Sequence, residues 1–261
     1  MGAGRGDVNG TVTLPALQQM KRDGRKIVGV VVYDYQMAQI VDRAGVDIVS
    51  VGDSVGVNFW GHRNESEVTL DQMVLVCQAV RRGVTRALVS CDVPFGPLQD
   101  GTDAAVRAAI RLVKEGGADL VKVDAGVSSA DTVRAIARAG IPVWAQFGTE
   151  PAPANADGPV REAKHLESAG ASLLDFRYSG PMAGPAVVRA VKIPVIGGLG
   201  GGPWLDGRVR AVFAAIGYLA SAVDDTTDRY ANVAQIALTA IKAFSEDVRA
   251  ARQIRSGPKP H

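Results

Sequence analysis

Histidine is scarce in this chain: there are three in 261 residues, His62, His165 and His261. None stands at ligand spacing with another histidine or with Cys77 or Cys91, which argues against zinc and other soft metals. A Ser–His–Asp hydrolase has no support either, since His165 falls on a polar helical stretch and His62 reads as a surface residue in a loop. Acid–base chemistry must therefore fall on carboxylates. The two cysteines provide no disulfide framework, fit a reducing compartment, and each reads as a small core residue. No long cationic run exists and the net charge is only +2, which gives no argument for nucleic acid or an anionic membrane. The longest apolar runs, such as residues 27–33, are too short to span a bilayer. The Gly-rich opening, MGAGRGDVNG, lacks the apolar stretch of a signal peptide. The expectation is a cytoplasmic protein with a flexible head at 1–16 and a flexible tail at 253–261.

What the chain does contain is alternation. Strand-like runs at 27–33, 47–52, 87–92, 119–124, 142–147, 171–176, 194–198 and, weakly, 217–221 are separated by helix-length amphipathic segments. Those segments are 35–44, 70–82, 102–116, 129–139, 159–169, 182–191 and 207–216, followed by a long one at 229–252. Four joints repeat one pattern, a helix-stop glycine followed by a strand: RAGVDIV, EGGADLV, RAGIPVW and SAGASLL. Repeated βα units at this length read as a (β/α)8 TIM barrel, an α/β fold in one domain over 17–252, with a doubly wound sheet as the alternative.

Four strand-like runs end on a carboxylate: VSVGDS at Asp53, LVSCD at Asp92, LVKVD at Asp124 and SLLD at Asp175. Strand ends converge on one face in either architecture, and that face is where ligands bind. Acids gathered so closely hold a metal or share a proton, because like charges raise each other's pKa. Each also has a plain reading, Asp53 as a turn cap and Asp92 as a loop acid before Val93-Pro94. Taken jointly, Asp53 and Asp92 suit Mg²⁺, which takes one or two protein carboxylates and leaves places for substrate oxygens.

Lys122 and Asp124 project from one face of their strand, into the barrel, while Val121 and Val123 project from the other. A lysine there needs an anion, either in a Lys–Asp pair or as a substrate carboxylate or phosphate. Strand ends also place Ser54, Gln146 and the run IGGLGGGP (196–203) at this face. The run's glycines, Gly198 among them, allow a substrate close to the backbone or cradle a phosphate.

Several stretches resemble ketopantoate hydroxymethyltransferase: Tyr33-Asp34-Tyr35, VGDSVG (51–56), VTLDQM (68–73), AVRRG (79–83), CDVPFG (91–96), LVKEGGADLVKVD (112–124) and AGIPV (139–143). The likeness returns in IPVIG (193–197), DGRV (206–209) and the final helical segment. This resemblance implies a (β/α)8 barrel related to those of phosphoenolpyruvate mutase and isocitrate lyase, in a homo-oligomer that in the family is usually a decamer. It implies Mg²⁺ on Asp53 and Asp92 with Asp124 as a third acid close by, a substrate carboxylate on Ser54 and Lys122, and Asp175 as general base. The implied reaction joins a one-carbon unit from 5,10-methylenetetrahydrofolate to a 2-oxo acid through a metal-stabilised enolate.

The chain also departs from that family. Gln146 replaces a histidine and cannot change charge near neutral pH. The family's following G-G-Y-K-V-Q-G loop is missing, which should open the mouth or admit a bulkier substrate. Asp stands for Glu at 124 and 175, withdrawing each carboxylate by roughly 1.5 Å, and such a displacement costs about a hundredfold in rate. Phe176-Arg177-Tyr178 does not match the family's small residues, and Trp204 follows a reshaped glycine loop. Three functions are weighed: hydroxymethyl transfer to a 2-oxo acid, a folate-independent aldolase or lyase of the same superfamily, and a non-catalytic paralogue.

Overall fold

A computed structural model describes residues 10–126, 129–227, 229–250 and 252. The expected head and tail thus lie, for residues 1–9 and 253–261, outside the described residues. A helix, α1 (Leu14–Arg22), begins within the span read as head. Thr13 caps it by accepting from the Ala16 N–H.

The strand–helix alternation then runs β1 (Ile27–Val31), α2 (Tyr35–Arg43), β2 (Ile48–Val51), α3 (Val55–Phe59), α4 (Leu70–Gly83) and β3 (Leu88–Asp92). It continues through α5 (Phe95–Gln99), α6 (Thr102–Lys114), β4 (Leu120–Asp124), α7 (Ala130–Arg138) and β5 (Val143–Phe147). The last turns of the barrel are α8 (Asp157–Ser168), β6 (Leu173–Phe176), α9 (Gly180–Ala190), β7 (Val195–Gly197) and β8 (Gly207–Ala211). The strands form a closed barrel in chain order, with parallel neighbours, so the expected (β/α)8 TIM barrel is the fold.

The glycines of the four repeated joints all adopt left-handed backbone: φ is 84° at Gly45, 79° at Gly117, 81° at Gly140 and 103° at Gly170. Glycine takes that conformation without the Cβ clash other residues meet, which is why the joint recurs.

Strand β8 corrects the sequence reading. Residues 207–216 were expected as a helix and the last strand near 217–221. Gly-Arg-Val-Arg-Ala instead alternates with period two, exposing Arg208 and Arg210 and burying Val209. Gly207 closes the barrel: a Cβ there would stand 2.2 Å from the Ile27 carbonyl oxygen.

Inside the barrel the lower layer is apolar. Ile27, Ile48, Leu88, Leu120, Trp144, Leu173, Ile196 and Val209, one from each strand, cluster with Val12, Leu17 and Met20. Helix α1 and the segment before it thereby plug the end opposite the mouth. Two steps up the strands the interior turns polar, as Ser50 and Ser90 and then Lys122, Asp92 and Asp175 replace aliphatic side chains. Val121 and Val123 are fully buried on the outward face, against the helices.

Residues from Ala211 onward form a second compact unit. It contains α10 (Val212–Ile216), a 3-10 turn at 220–222 and α11 (Val233–Arg249), shorter at both ends than the expected 229–252. Asn232 caps α11 by accepting from the Gln235 N–H and donates to the Ala222 carbonyl. Among the described residues, no helix is long and apolar enough to cross a membrane.

Candidate active site

The β2–α3 turn and the end of β3 supply the first pair of acids. Burial is the largest influence on Asp53, and with the neighbouring Asp92 charge it pushes the Asp53 carboxyl up to about 8. Asp92 is pushed up to about 6 by burial, although Lys122 pulls it down. Its Oδ1 is buried with no hydrogen-bond partner. Two close carboxylates held above their ordinary range, with an unsatisfied oxygen, are hard donors that a divalent cation would satisfy. Glu65, in the 3-10 turn Glu65–Glu67, adds a further negative charge that raises both acids.

Gly52 makes room for this arrangement. A Cβ on it would stand 2.9 Å from Ser54 Oγ and 3.7 Å from Asp92 Oδ2, so hydroxyl and carboxylate flank the same bare backbone. Ser54 Oγ is 2.7 Å from the Tyr33 hydroxyl, and Tyr33 packs edge-on against Phe59 with ring centroids 4.9 Å apart. Burial raises the Tyr33 hydroxyl well above its ordinary pKa, so it acts as a neutral hydrogen-bonding group.

The second grouping is an ion pair across the interior. Lys122 Nζ lies 2.9 Å from Asp175 Oδ2, with the side chains 12% and 1% exposed. The lysine's anion is thus Asp175 on β6. Beneath Lys122 the Trp144 ring lies 5.2 Å from Nζ and forms the floor. Burial would lower the lysine's pKa, but Asp175 and Asp92 outweigh it and hold the ammonium above its ordinary value. The Gly198 N–H donates to Asp175 Oδ1 at 2.8 Å, which gives the glycine loop a definite contact.

Asp124 belongs to a third grouping. Its Oδ2 accepts from Gln146 Nε2 at 2.9 Å and lies 3.5 Å from an Arg177 terminal nitrogen, while Oδ1 accepts from the Gly126 N–H at 2.8 Å. Among the described residues, no three His, Cys, Asp or Glu side chains group so as to hold a metal ion. Gln146 and Arg177 both engage Asp124.

The family model described as ketopantoate hydroxymethyltransferase matches residues 11–253. The chain belongs to the ketopantoate hydroxymethyltransferase family. A 3-methyl-2-oxobutanoate hydroxymethyltransferase from a Cyanothece strain is 36% identical over 253 residues, covering 91% of this chain and 96% of the relative. One from Moorella thermoacetica is 36% identical over 252 residues, covering 91% and 93%. The chain is accordingly an enzyme of this transferase family. Among solved structures, 2,3-dimethylmalate lyase, a PEP mutase/isocitrate lyase superfamily member, aligns at TM-score 0.66 and 15% identity, covering 95% of this chain and 91% of that one. Phosphonopyruvate hydrolase with oxalate and Mg++ aligns at 0.62 and 13%, covering 93% and 89%. These likenesses concern the barrel itself.

Against the ketopantoate hydroxymethyltransferase pattern, sequence reasoning overlooked Tyr33 as the partner of Ser54 and Glu65 as a nearby charge. Tyr33 stood within a matching stretch, yet its hydroxyl contact depends on β1 lying beside β2. Glu65 carried no local signal, since its loop is polar throughout.

Proposed function

We propose that the protein forms a carbon–carbon bond at C3 of a 2-oxo acid, in the manner of a 3-methyl-2-oxobutanoate hydroxymethyltransferase. The observation that carries this reading is the pairing of two groups in one interior: the strained carboxylates Asp53 and Asp92, and the buried Lys122–Asp175 ion pair. Asp53 and Asp92 would hold Mg²⁺, which when bound supplies Lewis-acid polarisation of the substrate's 2-oxo group. Ser54, oriented by Tyr33, and Lys122 receive the substrate carboxylate. An arriving carboxylate competes with Asp175 for the same ammonium. Asp175 then loses its tight partner and accepts the proton from C3, kept in place by the Gly198 N–H. The carbon so activated bonds to the one-carbon unit of 5,10-methylenetetrahydrofolate; water supplies the hydroxyl oxygen, and the methylene C–N bonds break to release tetrahydrofolate. Exposed Ile236, Ile241, Phe244 and Val248 on α11 support a homo-oligomer.

The test is isotope exchange. The full-length protein with Mg²⁺ and 3-methyl-2-oxobutanoate in D₂O should lose the C3 proton signal by NMR, and should form product when the folate donor is added. Failure to exchange would sink the proposal.

Gln146 favours a second reading, a folate-independent aldolase or lyase. Its amide donates to Asp124 and carries no titratable proton, and only residues 148–156 separate β5 from α8. Exchange together with turnover that ignores folate would select it.

A further inference from the structure

Arg177 stands one residue beyond β6, and its backbone is fixed from both sides. Its N–H donates to the Phe147 carbonyl at 3.0 Å, and the next residue, Tyr178, donates to the Leu199 carbonyl at 2.7 Å. Tyr178 adopts a left-handed φ of 50°, unusual for a tyrosine, which turns the chain sharply after Arg177. Gly148, at φ 90°, admits the Arg177 carbonyl so closely that a Cβ would stand 2.4 Å from it. The guanidinium is therefore carried on a rigid base.

From that base the side chain extends past β5 to Asp124 on β4, which lies in one register row with Gln146 on β5 and Asp175 on β6. The contact it makes is poor. It is 3.5 Å long, whereas charge-assisted N–H to carboxylate bonds run about 2.7–2.9 Å. Asp124 already accepts at both oxygens, from Gln146 and Gly126. Among the described residues Arg177 Nε has no hydrogen-bond partner although it is buried, while the side chain as a whole is 24% exposed. A planar fork of donors, held rigidly, with its Nε unpaired and a terminal nitrogen in only a long contact, matches a planar bidentate acceptor such as a carboxylate. Lys122, deeper in the barrel, is a separate cation with its own anion.

We infer that Arg177 makes this protein selective for 2-oxo acids that bear a second carboxylate, which it receives at the mouth. The inference rests on the reading above, in which Lys122 takes the first carboxylate. The same chemistry has another source, the carboxylates of a folate donor, so the experiment omits folate altogether.

Mg²⁺-dependent exchange at C3 in D₂O is measured for 2-oxoglutarate and for 2-oxopentanoate, which has the same chain length without the second carboxylate. The full-length protein should favour the diacid in kcat/KM. Arg177→Gln should lower the diacid-to-monoacid ratio by about 10- to 100-fold, and Arg177→Lys should restore part of it, since charge returns without the fork. Thermal melting of each variant confirms that it folds. A native preference for the monoacid, or a ratio unchanged by Arg177→Gln, overturns the inference and leaves the proposed function standing. Equal loss on both acids in both variants also overturns it, because Arg177 would then act only on structure. In a separate assay with 5,10-methylenetetrahydrofolate added, an effect of Arg177→Gln confined to the KM for folate assigns the arginine to the donor and overturns the inference too. No exchange with either acid or with 3-methyl-2-oxobutanoate removes the proposed function and this inference together.

Discussion

Replacing Lys122 by Met tests the centre of the site, because the substitution keeps the volume and removes the charge. At 2.9 Å and an effective dielectric of about 20, the attraction between Lys122 and Asp175 is about 6 kcal/mol. Desolvation offsets part of that, and breaking a buried pair by deleting one partner costs about 3–5 kcal/mol, since the surviving charge is left uncompensated. Loss of the contact with the Trp144 ring adds about 1 kcal/mol. Urea unfolding near pH 8, without added Mg²⁺, should show a deficit within this range. The double variant Lys122→Met with Asp175→Asn should recover at least half of it. A deficit below about 1 kcal/mol, or one unrelieved by Asp175→Asn, would refute the reasoning.

Two further outcomes are expected. Asp53 and Asp92 titrate near 8 and 6 because burial raises them, so their charged forms are disfavoured below those values. Carboxylates raised in the folded state contribute stability on the acid side that is lost as the pH climbs from the ordinary carboxylate value of 3.8 to these raised values. The metal-free protein should therefore weaken as the pH rises from about 4 to 8, while Mg²⁺ affinity strengthens over the same range as protons leave. Calorimetry in buffers of different ionisation enthalpy would register the released protons, and a pH-independent affinity would contradict the assignment. Gly52→Ala should displace Ser54, whose Oγ would lie 2.9 Å from the new methyl group. The KM for the 2-oxo acid should rise by about tenfold with only a small change in thermal midpoint; an unchanged KM would remove Ser54 from carboxylate binding.

Much of the barrel was legible because one physical device repeats. Gly45, Gly117, Gly140 and Gly170 each end a helix in left-handed backbone, and each announces a strand a few residues later. The last strand hid because Arg208 and Arg210 flank one buried valine, a pattern short enough to pass for a polar helical face. Asp53 and Asp92 were recognisable as strand-end acids. The partner of Lys122 was not, since the nearest carboxylate in sequence, Asp124, sits on the same strand, and only closure of the barrel brings Asp175 within 2.9 Å. Arg177 likewise could be placed inside or outside the mouth from its neighbours alone. Its direction is decided by the left-handed turn at Tyr178 and by the space that Gly148 leaves.

The apolar floor has a thermodynamic consequence. Below Lys122 lie the Trp144 ring and the aliphatic layer that α1 seals, a floor with little polarity to answer a change of charge. Any imbalance among the acids and the lysine must be met from the open end. Ligands of opposite sign that enter by that route are thereby linked: a cation on the acids strengthens the hold on an incoming anion, and the anion strengthens the hold on the cation by the same factor. The barrel in effect behaves as a capacitor with one terminal.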